Sequence, residues 1–402
     1  MNYLADKSYL AVKPQADADT PIIPDVFMPL VSESIKVVPN FAADRRMKGL
    51  DWKSDEILKG SRKIEGDVSV YADPDNLAHI VNMVYAKGET TGSAGDGYTH
   101  PFTPGEGKNY SLDIPRGIYA QRIWGVRGDN LKLEFQDNKL VATISIKALG
   151  QFYTASLAVA LTGTGMTSCV LKTDYDLRPT DGLKIGDKIL IGAVELTLTS
   201  VNADGKTLGF ASTTVTASIG DAVFLKAQTP TLPTQREPFY MGNALVGVAL
   251  TSALADTAAA SKATATPCYS VGVNLKNNLL DSPASGSTGP ISLKNQVKEA
   301  SLDLKRMFED PTEYQRWIEA VKRGVTIICT GRFIKSDLTT SEKLTVKFHN
   351  VKTLTNDDPL EPGSYIFDTQ NFEALYDSVD GKTVEIEIIN RITASELGDD
   401  ES

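Results

Sequence analysis

Glu65-Gly-Asp-Val-Ser-Val70 alternates polar and apolar residues. Asp73-Pro74 follows, and then a segment with apolar residues at Leu77, Ile80, Val81 and Val84 that runs to Gly88. The same order returns at Glu299-Ala-Ser-Leu-Asp-Leu304, then Asp310-Pro311, then Tyr314, Trp317, Ile318 and Val321, then Gly324. Alternation predicts a strand with one buried face. Asp is a good N-cap because its carboxylate accepts the unpaired amides of the first turn, and Pro suits the first helical position. The i, i+3, i+4, i+7 spacing puts one apolar stripe on each helix, and Gly is expected to close both. His79 then falls on the polar, solvent-facing side of the first helix. A strand, cap, stripe and stop recurring in one order predict a duplicated domain. The gap between strand and Asp-Pro is longer in the second copy, so the copies are related but not interchangeable.

The chain has 402 residues, 41% apolar and 23% charged, enough for two or three domains of an ordinary globular protein. A net charge of −10 argues against a grip on nucleic acid by counterion release, though it suits a surface past which DNA must slide. Three scattered cysteines, Cys169, Cys268 and Cys329, are no disulfide framework and fit assembly in a reducing cytoplasm. Met-Asn-Tyr-Leu-Ala-Asp-Lys at the start has no basic region followed by an apolar run, so no signal peptide is expected. Ala244–Ala260 is the most apolar stretch, but it is short, contains Asp256 and is not expected to span a membrane.

Residues 1–34 predict an extended arm, because Pro14, Pro21, Pro24 and Pro29 disfavour helix and central strand. Its apolar residues, Phe27 among them, pack either on the arm's own domain or across a neighbouring subunit. The first unit covers 35–161. It opens with a strand at Ile35–Val38 and a charged loop carrying Arg45, Arg46 and Trp52. Strands follow at Tyr110–Ile114, Leu131–Gln136 and Leu140–Lys147, the last two joined by a turn at Asp137-Asn138. Residues 162–228 lack any helical stripe and carry short β runs at Lys188–Leu190, Val194–Val201, Thr207–Phe210 and Ala222–Lys226, an inserted small all-β domain. The second unit covers 229–392, with strands at Tyr269–Leu275, Val325–Phe333, Leu344–His349, Tyr365–Tyr376 and Thr383–Asn390. An acidic loop with Asp357 and Asp358 interrupts it, and residues 393–402 form an acidic tail.

Chemistry-bearing motifs are weak. His79, His100 and His349 lie far apart, and no HExxH or CxxC spacing is present. Gly92-Ser-Ala-Gly95-Asp-Gly97 lacks the Lys-Ser/Thr of a phosphate loop and is better taken as a β connection. No Gly-x-Ser-x-Gly elbow occurs. No catalytic residue, cofactor or metal is expected, and the chain is not expected to be an enzyme. What remains is a mainly β, two-unit protein with long loops, which suggest contacts between subunits.

Several stretches resemble the major tail tube proteins of long-tailed bacteriophages. They are Leu10-Ala-Val-Lys-Pro14, Thr20-Pro-Ile-Ile-Pro24, Gly60-Ser-Arg-Lys-Ile-Glu-Gly-Asp-Val68, Tyr98-Thr-His-Pro-Phe102, Ser111-Leu-Asp-Ile114, Gly125-Val126, Asn371-Phe-Glu-Ala-Leu-Tyr-Asp377 and Val384–Asn390. The likeness covers nearly everything outside 162–228. It implies two tandem β-sandwich or barrel tube domains, each with one flanking helix, in a virion tail assembled in the host cytoplasm. It also implies self-assembly into stacked rings around a lumen that conducts DNA without specific binding, and tape-measure, tail-terminator and tip proteins as partners. Duplicated members form trimeric rings with pseudo-sixfold symmetry; a hexamer is the alternative. On this basis Asp67, Ser69, Ser145, Asp303, Glu385 and Glu387 are candidates for the lumen, with bulk water as the alternative for each. Pro21, Pro24, Phe27, Arg45, Arg46, Trp52, Asp357 and Asp358 are candidates for contacts between subunits or rings. The insertion is expected outside the tube. Rival expectations are a multidomain β adhesin and the inner tube of a contractile machine.

Overall fold

In the computed structural model the repeated strand lies at the centre of a mainly β protein. Residues 9–43, 57–173, 178–232, 237–283, 290–308, 311–334, 339–357 and 366–398 are described. The first unit contains β1 (Tyr9–Pro14), β2 (Val26–Pro29), β3 (Ser32–Glu33), β4 (Lys36–Ala43), β5 (Ile57–Tyr71), α1 (Pro74–Val84), β6 (Ala86–Lys87), β7 (Thr91–Ser93) and β8 (Gly97–Thr103). β9 (Tyr110–Arg116), β10 (Tyr119–Gln136), β11 (Lys139–Ala148) and β12 (Gly150–Phe152) complete it. The insertion carries β13 (Thr154–Ser156), β14 (Met166–Val170), β15 (Lys188–Ile191), β16 (Val194–Val201), β17 (Thr207–Thr213) and β18 (Ala222–Leu225). The second unit contains β19 (Ala244–Ala249), α2 (Ser252–Ala259), β20 (Ser270–Lys276), β21 (Leu280–Pro283), β22 (Pro290–Lys294) and β23 (Glu299–Met307). α3 (Thr312–Ile318), β24 (Arg323–Phe333), β25 (Ser341–Asp357), β26 (Phe367–Ala374) and β27 (Val384–Asn390) follow.

The two units share one pairing plan. β5 lies between β4 and β11, and β11 pairs with the second half of β10. Likewise β23 lies between β20 and β26, and β26 pairs with the second half of β25. The first half of β10 pairs with β9 and β12, and β9 with β1. The first half of β25 pairs with β24 and β27, and β24 with β19. β20 also pairs with β10, so the sheet runs unbroken from the first unit into the second, within one continuous barrel-like sheet. β27 and β8 join the units again. At the β10–β11 turn Asp137 and Asn138 take φ of 48° and 64°, the backbone a two-residue hairpin needs to follow strand twist.

The helices correct the sequence expectation. α1 has no solvent side: every residue from Asn76 to Val84 is buried, because the helix touches β10 and β11 of its own unit and β25 and β27 of the other. His79 is therefore buried, not solvent-facing, with Nδ1 3.3 Å from the Tyr110 hydroxyl. Asn82 donates to Tyr110 and to the Leu397 carbonyl, both at 2.9 Å. The Asp73 cap is as expected, its Oδ1 accepting from the Asp75 and Asn76 amides at 3.1 and 2.9 Å. The helix, however, ends at Val84, ahead of Gly88, where Tyr85 turns extended and Asn277 donates to the Val84 carbonyl at 2.6 Å.

α3 differs again. No side chain caps it at Pro311, and Asp310 lies outside the described residues. Its stripe is not buried: Tyr314 is 47% and Ile318 62% exposed. The chain leaves it through Ala320 at φ 52°, while Val321 follows the helix and Gly324 belongs to β24. Gly324 has another role. A Cβ there would stand 2.5 Å from the Ser252 Cα, and one on Gly247 2.0 Å from the Ala255 carbonyl oxygen. These two glycines let α2, inside the Ala244–Ala260 stretch, lie directly on β19 and β24.

One apolar core joins both units, with Leu77, Ile80 and Val81 set among Leu131, Ile144, Val346 and Ile386. The insertion has its own sheet, ordered β13-β18-β15-β16-β17-β14, and its own core of Leu157, Cys169, Ile189, Leu198, Phe210 and Val223. Arg122 of β10 pins it: Nε and Nη2 donate to Asp113 at 2.8 Å each, and Nη1 to Asp187 of the insertion at 2.5 Å. The described part of the arm packs on its own chain. β1 pairs with β2 and β9, the Tyr9 and Phe27 rings meet edge to face at 5.3 Å, and Pro21 and Pro24 are buried.

Candidate functional site: a polar sheet face shared by both units

Strand alternation and the β10–β20 pairing together build a polar surface across both units. Read across the strands, one row runs Asp67, Ser145, Asn130, Lys276, Glu299. A second runs Ser69, Thr143, Lys132, Asn274, Ser301, Glu373, Lys352. A third runs Glu134, Gly272, Asp303, Asn371, Thr355. The residues between them, Val68, Ile144, Leu131 and Leu275, then Val70, Ala142, Leu133, Val273, Leu302 and Phe372, face the core and are all buried. The period-2 geometry of a strand divides the two sets.

The face is hydroxyl-, amide- and carboxylate-rich. Ser69 and Thr143 share a hydrogen bond at 2.9 Å, and Asn371 Nδ2 donates to Thr355 at 2.9 Å. Its cations are lysines, and they stand among acids. Lys132 meets Glu134 at 2.5 Å, and that hydrogen bond, helped by one from Gln136, lowers the glutamate's pKa. Partial burial raises the Asp303 carboxyl, against the pull of Lys132. The rows hold no arginine and no stacked aromatic, so they offer neither the bidentate fork nor the π platform that holds nucleic acid.

Asp67, Ser69, Ser145 and Asp303 are thus brought onto one face. Glu385 and Glu387 are not. Their β27 registers put them beside Lys347 and Thr345, in an open groove of about 650 Å³ that Asp256 and Ala259 of α2 also line. Among the proposed contact residues, Pro21, Pro24 and Phe27 pack within the chain, and Asp357 is exposed at the end of β25. Arg45, Arg46, Trp52 and Asp358 lie outside the described residues. Sequence reasoning did not find the β10–β20 joint, which leaves no local signal, or α2, which Thr251 marks by capping the Leu254 amide.

Elsewhere polar side chains bond to one another and to the backbone. Both His349 Nδ1 (2.7 Å) and Ser252 Oγ (2.6 Å) bind Asp380 Oδ2, so the trio lacks a serine-to-histidine bond. His100 Nε2 lies 3.0 Å from both Asn390 Oδ1 and the Ile392 carbonyl. Among the described residues no group of three or more His, Cys, Asp or Glu is placed to hold a metal. No described helix is long and apolar enough to cross a membrane. No protein-family model matches the sequence, and no curated protein matches it.

Proposed function

We propose that this chain is a structural subunit of the tail tube kind: copies polymerise into stacked rings, and the shared polar face lines a channel for DNA. One observation carries the proposal. The chain already joins the sheet of one unit to the sheet of an equivalent unit through β10 and β20, with a single polar face running across the joint. Repeating that operation curls the sheet round and removes open edges, as a tube wall requires. Two units per chain make three chains the ring that gives six units, in keeping with a pseudo-sixfold trimer. DNA slides past such a face because each lysine has acidic neighbours and phosphates meet no cationic cluster. The insertion, with its own core, stands on the outside, and the partners are further copies, a tape measure and the tail's terminator and tip proteins in the virion.

Electron microscopy of the purified chain tests this: hollow tubes with three chains per ring are expected, and a chain that stays monomeric at every concentration refutes it. Asp67→Lys with Asp303→Lys should slow DNA passage through intact tubes. Glu385→Lys with Glu387→Lys, in the groove under α2, should not. The reverse result would move the lumen to the groove.

A further inference from the structure

The duplicated plan assigns a partner to an edge that the chain leaves open. In the first unit the second half of β10 has β11 on one side and β20 on the other. In the second unit the equivalent half of β25, past Val351, has β26 on one side and no described strand on the other. The equivalent of β20 is the β3–β4 segment, which pairs with β5 and, among the described residues, with no other strand. We propose that Ser32–Lys36 of a second copy of this chain adds to Lys352–Asp357, as β20 adds to β10.

The internal joint fixes the register. Lys276 stands opposite Glu299 as Lys36 stands opposite Glu65. Leu131 connects through Ile144 to Val68, as Thr353 connects through Phe372 to Leu302. Transferring the pairs Leu131–Leu275, Lys132–Asn274 and Glu134–Gly272 puts Thr353 opposite Ile35, Thr355 opposite Ser34 and Asp357 opposite Ser32. Leu354 is the extra residue of the register shift between Thr353 and Thr355. The like-charged pair, Lys352 and Lys36, has Glu373 and Glu65 on its outer sides.

A second observation points to the same occupant. Leu77 and Val81 of α1 are fully buried, and the other unit's β25 and β27 help to cover that helix. Their counterparts Tyr314 and Ile318 are exposed, and Leu354 beside them is 50% exposed. Trp317 Nε1 donates to the Leu354 carbonyl at 3.0 Å, so this apolar patch adjoins the open edge. A second copy's first unit seated on the edge supplies the neighbour that α1 finds within its own chain. The contact is head to tail, so it propagates to a ring or filament, not to a two-fold dimer. Its closure as a three-chain ring rests on the tube proposal.

The test is Ser34→Cys with Thr355→Cys in the full-length chain, treated with a short bis-maleimide, with fragments identified by mass spectrometry. Cross-links between position 34 of one chain and position 355 of another are expected, and either single variant should give none. Lys132→Cys with Asn274→Cys reports the internal joint in parallel. Tubes that form without the 34–355 link, while the 132–274 link forms, overturn this joint and leave the tube proposal standing. Linked oligomers that never become hollow tubes uphold the joint and refute the tube. A chain that stays monomeric refutes both. Ile318→Asp should leave the lone chain's melting point unchanged and raise the concentration needed for assembly about tenfold or more; unchanged assembly would remove the helix from the contact.

Discussion

Arg122→Met should loosen the insertion without unfolding the two-unit core. The guanidinium is fully buried and makes hydrogen bonds to Asp113 at 2.8 Å (twice), to Asp187 at 2.5 Å and to the Gly182 carbonyl at 3.4 Å. Burial alone would lower its pKa, but the two carboxylates more than offset this and raise it. Removing the cation leaves two buried carboxylates facing each other, a loss of about 3–5 kcal/mol. That energy concerns the seam between β10 and the insertion, so the opening to watch is local. Cys169 is a native reporter, buried in the insertion's core, with burial raising its thiol to about 11. Where reclosing outpaces labelling, a loss of this size speeds modification of Cys169 by about a thousandfold. Cys329, buried in the other core, should be unaffected. The pH dependence has a definite sign. Burial already raises the Asp187 pKa with Arg122 present, and without the cation that carboxyl is raised further. A carboxyl with a raised folded pKa binds its proton more tightly when folded, so its stability is recovered as pH falls and lost as pH rises. The Arg122→Met defect should therefore shrink from pH 7.5 to pH 5. Labelling of Cys169 within tenfold of the parent at pH 7.5, or a defect unchanged at pH 5, would refute this account.

Leu77→Ala should cost about 2–5 kcal/mol in urea unfolding of the unassembled chain, while Tyr314→Ala at the equivalent position should cost under about 0.5 kcal/mol. Burial lowers the His79 pKa from 6.5 to about 4. Its neutral form is the folded one, so the stability it contributes is present above pH 6.5 and lost as pH falls towards 4, by roughly 3 kcal/mol. His79→Gln should flatten that part of the urea-midpoint profile between pH 7 and 4.5. Ala320 sits at φ 52°, a strained place for a Cβ, so Ala320→Gly should leave stability unchanged or raise it by up to about 1 kcal/mol, read from the melting point.

Strands were the legible part of this sequence because a sheet with one wet face keeps its period of two. Val384, Ile386 and Ile388 against Glu385 and Glu387 is a case in point, buried and half-buried in turn. Outwardness was legible, but the surface reached was not. Glu385 and Asp303 obey one alternation and end in a groove and on the shared face respectively. The long strands were seen as fragments. Of β25 the alternation marks only Leu344–His349, because the strand's partner changes from β27 to β26 around His349–Val351, where four consecutive residues are buried and the alternation breaks. Helix burial was not legible. Tyr314 and Ile318 keep the spacing of Leu77 and Val81, yet only the first helix is enclosed, since enclosure depends on strands hundreds of residues away. His79 falls on the polar side of the helix by spacing alone, because Tyr110, whose hydroxyl lies 3.3 Å from it, is remote in sequence.

Carrying two units on one chain divides the chemistry of their joints. β10 and β20 belong to one chain and pair as it folds, so their core-facing residues can be fully apolar: Leu131 and Leu133 face Leu275 and Val273, all buried. In the proposed assembly the equivalent open edge must stay soluble until a second copy pairs with it, since an exposed apolar edge strand templates indiscriminate pairing. There Thr353 and Asn356 replace the two leucines, and Glu33 stands where β20 has Val273. Each polar group is satisfied within its own unit, Asn356 accepting from Gln370 at 2.8 Å and Glu33 paired with Arg116. In the proposed assembly this difference orders the steps: the apolar joint forms as the chain folds, and the polar one awaits a second copy. The apolar contribution at the open joint is displaced towards the helix beside it, where Tyr314 and Ile318 are exposed near Leu354 of the strand, and a helix face presents no backbone for an incoming strand to pair with.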